Sequence, residues 1–274
     1  MKIGFLIGCF MMASVSVAAA CSVDSVKVTT LMKQAQTVAP SQNKILYLAK
    51  GFQGTPYQGG TLETFPVEQL VVRTDSVDCT TFVEYVLAMY LTPDASFAGF
   101  KKALEMIRYR HGQLDGYTSR LHYFSDWIYD NERKGIVREV TKESPYAVRK
   151  VDLNFMSEHA SLYPFLAQDT AAVLRMKQIE SRWIGYQMPY IPKEKLDAGP
   201  DLLKVSDGDV LTLATRISGL DVVHVGFACW VEGRLHLLHA SSVKKKVLLD
   251  PLTLYDYSKN IKSHIGIRVI RIQR

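Results

Sequence analysis

The sequence predicts an α+β fold. Apolar residues recur at helical spacing through the N-terminal half, and the period changes to two beyond about residue 208. The two regimes are segregated along the chain, which sets helices against an antiparallel sheet instead of alternating them with parallel strands. A chain of 274 residues with 47% hydrophobic content can bury a full core as one large domain or two small ones. The formal charge of +6 favours anionic partners: wall polymers bearing carboxylates, lipid head groups or nucleic acid. Lys244-Lys245-Lys246 is the one run of cations, read here as a solvated strand end, and no recognisable nucleic-acid-binding module accompanies it.

Taken in order, the chain opens on Lys2, an apolar run from Ile3 to Val17 and then Ala18-Ala19-Ala20, the layout of a signal peptide over residues 1–20. The expectation is an exported protein of the periplasm or cell envelope, with a single domain over 21–274. Cys21 directly after the small residues makes a lipid-anchored N-terminus the alternative to simple secretion. Residues 22–52 are helix-like, with Ser41 a cap for a segment through Ile45, Leu46, Leu48 and Phe52. Gly54 to Gly60 is a loop, and Glu68 to Arg73 reads as a short strand feeding a helix that begins at Cys79. Another amphipathic helix covers about Ser96 to Arg110. From 112 to 200 the texture becomes aromatic and basic, with a helix from Thr170 to Tyr186; without a linker or repeat, this is a largely helical insertion packed onto the domain. Strands then follow at Asp209–Leu213, Val222–Val231, Arg234–Ala240, Val247–Leu249 and Ile265–Ile272, with a short helix from Pro251 to Lys259.

Of four cysteines, Cys9 leaves with the leader, and Cys21, Cys79 and Cys229 form neither a disulfide framework nor the C-x-x-C spacing of a metal or redox site. Phe82, Val83, Val86, Leu87 and Tyr90 give the helix after Cys79 one apolar face, and Asp78 stands where an N-cap belongs. A first-turn thiol lies beside free N–H groups and the positive end of the helix dipole, where its pKa can fall from ~8.5 to roughly 3.5–7.5. The other reading is a small buried hydrophobe that starts a helix. A nucleophile would need a base and an orienting group, and the strands around Glu232-Gly233 offer both. If those two residues are the turn, His224 lies opposite Ser241 and His239 opposite Gly226, so all four share one face. The two histidines are then diagonal neighbours, roughly 7–8 Å apart at the backbone. Cys229 has the opposite parity and is core, as His236 is placed away from His239. His111, His122, His159 and His264 have no metal-ligand spacing, and no cofactor is implied.

Gly54-Thr55-Pro56-Tyr57, Val77-Asp78-Cys79-Thr80-Thr81-Phe82-Val83, Gly208-Asp209-Val210-Leu211, His224-Val225-Gly226 and Leu238-His239-Ala240-Ser241, in that order, resemble the NlpC-type superfamily of papain-like cell-wall cysteine peptidases. Arg120 to Ile128, inside the insertion, resembles that superfamily's N-acetylmuramoyl-L-alanine amidase-like branch, and the likeness spans essentially the whole mature chain. The resemblance implies a papain-like fold, Cys79 as nucleophile, His224 as base, His239 orienting it with Ser241 as rival, and Tyr57 near the oxyanion. It implies peptidoglycan or its muramoyl-peptide fragments as substrate, cut at the muramoyl–L-alanine amide. A D-glutamyl endopeptidase, an acyltransferase and a non-catalytic wall-binding protein are the alternatives. Arg120, His122 and Trp127 are expected to line the cleft, against the simpler reading that such aromatics bury the insertion.

Overall fold

The computed structural model describes residues 13–63 and 66–273, with side chains described from Val23 on. The expected leader lies mostly outside the described residues, as does the Cys21 side chain.

Helix α1 (Ala13–Gln36) is followed by α2 (Lys44–Lys50), capped by Asn43, whose side chain accepts the Leu46 N–H at 3.0 Å. The expected cap, Ser41, lies outside that helix. Helix α3 (Cys79–Tyr90) begins with a reciprocal cap. Asp78 Oδ1 accepts the Thr81 N–H at 2.7 Å, and Thr81 Oγ1 accepts the Asp78 N–H at 2.9 Å. Ser96 caps α4 (Phe97–Arg108) in one direction only, its hydroxyl accepting the Gly99 N–H at 2.9 Å.

The strand expected over 68–73 does not form. Its backbone groups are satisfied by side chains: Val71 O accepts from Arg108, Gln69 O from the Tyr109 hydroxyl, and Arg73 N donates to the Tyr85 hydroxyl. Arg108, fully buried at the end of α4, also donates to Glu84 of α3 at 2.7 Å. This ion pair fixes the Cys79 helix against α4 and the segment leading into it. Glu84→Ala leaves a buried guanidinium without its counter-charge, and is expected to destabilise the protein by about 3–5 kcal/mol. Chemical denaturation checks this; a loss under about 1 kcal/mol, the range of surface pairs, would remove the pair from this role.

The insertion contains α5 (Phe124–Arg133), β1 (Val137–Glu139), β2 (Ala147–Val151), α6 (Phe155–Glu158), α7 (Pro164–Gln168), α8 (Thr170–Ser181) and β3 (Tyr186–Pro192). It is thus mixed, correcting the largely helical expectation: β2 pairs with β3, and β1 and β3 both add to a strand of the main sheet. Helix α8 stops short of Tyr186, and Gly185, at φ +72°, turns the chain into β3. After α9 (Pro200–Leu203) come β4 (Val210–Thr215), β5 (Val222–Val231), β6 (Arg234–Ser241), β7 (Lys246–Thr253), α10 (Leu254–Lys259) and β8 (His264–Ile272). Among the described residues the sheet runs β2-β3-β8-β4-β5-β6-β7, antiparallel throughout, with β1 also on β8.

The helices α1 to α4 cover one face of this sheet. There Phe82 packs edge-on against Phe227 at 5.5 Å, and Val225, Cys229, Leu238 and Ala240 join the same core. The opposite face buries Leu213, Leu237 and Ile267 beneath Leu254 and Tyr257 of α10. The insertion has a third core around Phe165, Met176 and Met188.

Candidate active site

Strands β5 and β6 turn through Glu232 and Gly233, both at positive φ, as the favoured two-residue hairpin requires. The register has Val231 opposite Arg234 and Phe227 opposite Leu238, as the sequence predicts. Beyond that pair β5 stays with β4 while β6 stays with β7, and the sheet opens. A Cβ on Gly226 would lie 2.8 Å from both His239 Cβ and Leu238 O, so the close approach at this point requires glycine.

The N-terminus of α3 meets the sheet at this opening. Cys79 is partly exposed, and its sulfur receives hydrogen bonds from the Val225 and Thr80 backbone N–H groups. Its own N–H, at the first position of the helix, has no intrahelical acceptor. Tyr57, half-buried in the preceding loop, is held by its N–H donating to Lys245 O at 2.9 Å. Burial and then the proximity of Cys79 and Asp78 push its hydroxyl up to about 12, so it is a neutral donor at physiological pH.

His224 Nε2 lies 2.6 Å from His239 Nδ1, and His239 Nε2 lies 3.3 Å from Asp250 Oδ2. This chain fixes both tautomers. A carboxylate only accepts, so His239 carries its proton on Nε2 and presents a lone pair at Nδ1. His224 therefore donates from Nε2, which leaves His224 Nδ1 as the free lone pair, the form a general base needs. Asp250 is a member that sequence reasoning missed. A signal existed: had the β6–β7 turn been assigned, Asp250 would lie two residues beyond Leu248, the partner of His239, on the same face. Ser241, the rival to His239, instead accepts the Lys244 N–H at 3.1 Å within that turn.

The easily ionised thiol expected from the helix start is opposed by burial and the Asp78 carboxylate, which push Cys79 up to about 12. Burial, with repulsion from His239 and His264, pulls His224 down to about 3. Both groups are thus neutral at rest, a thiol at the start of α3 whose sulfur meets the Val225 backbone and an imidazole on the neighbouring residue of β5. Because His224 stays unprotonated far below the ordinary histidine value near ~6.5, kcat/KM should remain level down to about pH 5 and fall only below it. A pH–rate profile with its acid limb at the ordinary histidine value would contradict this.

The insertion residues are placed differently from expectation. Trp127 is completely buried against Phe124 and packs the insertion onto the domain, where a cleft-lining ring was expected. Arg120 is buried and ion-paired with Glu63 at 3.1 Å and Glu68 at 3.3 Å, over the Tyr117 ring. Its charge is answered within the chain, where a cleft cation was expected. His122 contacts Tyr117 O at 2.9 Å, and burial and then Arg120 bring it down to about 3. Cys229 lies in the core between sheet and helices.

Comparison with known proteins bears on this arrangement. A family model described as "N-acetylmuramoyl-L-alanine amidase-like" matches residues 47–267. A crystal structure of an N-acetylmuramoyl-L-alanine amidase from Bacteroides uniformis is 41% identical, with a TM-score of 0.81 over 84% of this chain and 98% of that one. A Bacteroides fragilis protein described as a candidate xylanase is 45% identical, with a TM-score of 0.77 over 81% of this chain and 98% of that one. A Legionella pneumophila protein, 24% identical with a TM-score of 0.71 over 94% and 97% of the two chains, shares the fold. No curated protein matches. Glycoside hydrolysis uses two carboxylates flanking the scissile bond. Here Asp78, next to the thiol, accepts the Thr81 N–H, and Asp250 accepts from His239 and the Leu252 N–H, so both carboxylates are engaged within the chain.

Proposed function

The chain belongs to the N-acetylmuramoyl-L-alanine amidase-like family, and on that premise we propose that it is an exported cysteine amidase with a papain-like fold. Its substrate is peptidoglycan or muramoyl-peptide fragments, cut at the amide between the muramoyl lactate and L-alanine. The observation that carries the mechanism is the aligned chain His224–His239–Asp250, on the strand whose Val225 backbone bonds the thiol at the N-terminus of α3.

His224 Nδ1 takes the Cys79 proton as the sulfur attacks the muramoyl carbonyl carbon. The oxyanion is met by the free Cys79 N–H and the Tyr57 hydroxyl, and removing one such donor costs on the order of 10²–10³ in rate. The C–N bond breaks as the His224 imidazolium gives its proton to the alanine nitrogen, which leaves a muramoyl thioester on Cys79. Water, deprotonated by His224, attacks the thioester, releasing the muramic carboxylate and restoring the thiol. His239 orients His224, and Asp250 holds His239 in the tautomer this requires.

Mass spectrometry of a defined muramoyl-tripeptide after incubation with the protein tests the reading. Free muramoyl sugar and a peptide beginning at L-alanine are expected. A product cut after D-glutamate would make the protein an endopeptidase of the same thiol chemistry. The absence of either product would leave a wall-binding role.

A further inference from the structure

A second group of polar residues adjoins the histidine chain and is used by none of the steps above. His264 begins β8 and lies across from Thr215 of β4, while His224 of β5 lies across from Leu213 of the same strand. The β4–β8 pairing shifts between Ala214 and Thr215, where β8 carries Ile265 as an extra residue, and beyond this irregularity His264 comes to the Tyr257 ring that also meets His239. His264 is 6% exposed, and its Nδ1 is buried without a hydrogen-bond partner. An orphaned polar atom in such a place is unfavourable unless a ligand completes it. Tyr257 of α10 bridges the two groups, its ring 5.6 Å from His239 and 6.0 Å from His264. Lys193 stands beside them: its ammonium is 3.4 Å from Ile261 O, the same carbonyl that accepts the His264 N–H. Its other hydrogen bond, to Lys259 O, is also 3.4 Å long. Lys193 is partly exposed and has no carboxylate partner among the described residues, so its charge is available to an anion.

An incompletely hydrogen-bonded imidazole beside an ammonium that holds only carbonyls is a site for an anionic oxygen ligand. Its position says which part of the substrate arrives there. His224 must reach the leaving nitrogen to protonate it, so groups flanking His224 face the leaving peptide. In the stem peptide the first carboxylate after the scissile nitrogen is the α-carboxylate of D-glutamate, about 7 Å along an extended chain. We propose that Lys193 and His264, with Tyr257 as the wall joining them to the histidine pair, form the subsite that binds this carboxylate. The inference rests on the amidase reading above, and it replaces Arg120 as the cation expected to meet the stem peptide.

The test compares two substrates that differ only in that group, N-acetylmuramoyl-L-alanyl-D-glutamate and N-acetylmuramoyl-L-alanyl-D-isoglutamine, whose α-carboxylate is an amide. The wild-type protein should favour the first by about tenfold or more in kcat/KM, the size of one charge-assisted hydrogen bond. In Lys193→Gln and in His264→Gln that ratio should fall towards one. Damage to folding would lower both rates and leave the ratio intact. A wild-type ratio near one, or an unchanged ratio in either variant, overturns the proposal. If the wild-type protein cleaves neither muramoyl–alanine bond, the amidase reading itself fails, an outcome distinct from a ratio of one measured on a working amidase.

Discussion

Cys79→Ala should lower kcat/KM on a muramoyl-peptide by a factor on the order of 10⁴–10⁶, the loss expected when the atom that forms the covalent intermediate is removed. The fold should not register the change. The cap that starts α3 is made by Asp78 and Thr81, and Cys79 contributes only a partly exposed side chain. Activity and thermal unfolding measured on the same preparation therefore separate the two effects: activity is lost at an unchanged Tm. Activity retained within about tenfold would place the nucleophile elsewhere. The other described cysteine, Cys229, could not replace it, because it is buried in the core between sheet and helices.

Asp250→Asn is expected to cost on the order of 10²–10⁴ in kcat, because it reverses a chain of tautomers while changing almost no volume. Asp250 Oδ1 accepts the Leu252 N–H at 2.9 Å. In the variant that N–H holds the amide oxygen, so the amide NH₂ turns towards His239 Nε2. His239 must then accept at Nε2 and donate from Nδ1, and His224 must accept at Nε2 and carry its proton on Nδ1. The base that should face Cys79 is then occupied. Asp250→Ala, which imposes no tautomer, should lose less activity than Asp250→Asn. The reverse order of losses would sink the tautomer argument.

Much of this site is legible in the sequence because its geometry is local. Glu232-Gly233 fixes a two-residue turn, the turn fixes the β5–β6 register, and a strict period of two then places His224 and His239 on one face. The start of α3 is legible for the same reason, since a cap and an apolar period lie within a dozen residues. Asp250 belongs to the next strand, and its place beside His239 follows only once the β6–β7 turn over 242–245 is assigned, a turn without the glycine that marks Glu232-Gly233. Arg120 and Trp127 look like ligand-binding residues by type, but their surroundings are set by distant segments: Glu63 and Glu68 for the arginine, the helical core for the indole. The segment 68–73 reads as a strand, yet side chains of α3 and of the residues around the end of α4 take its backbone hydrogen bonds.

By itself, then, the sequence determined the α+β class, the helix that presents Cys79, and the pairing of two histidines across one hairpin. Each follows from periodicity and turn chemistry over a few residues. Only the tertiary structure decided that Asp250 completes the histidine chain, that burial opposes ionisation of the thiol, and that Lys193 and the His264 backbone come to the same Ile261 carbonyl. Those outcomes depend on burial and on charges brought together from remote parts of the chain, and neither is encoded in local spacing.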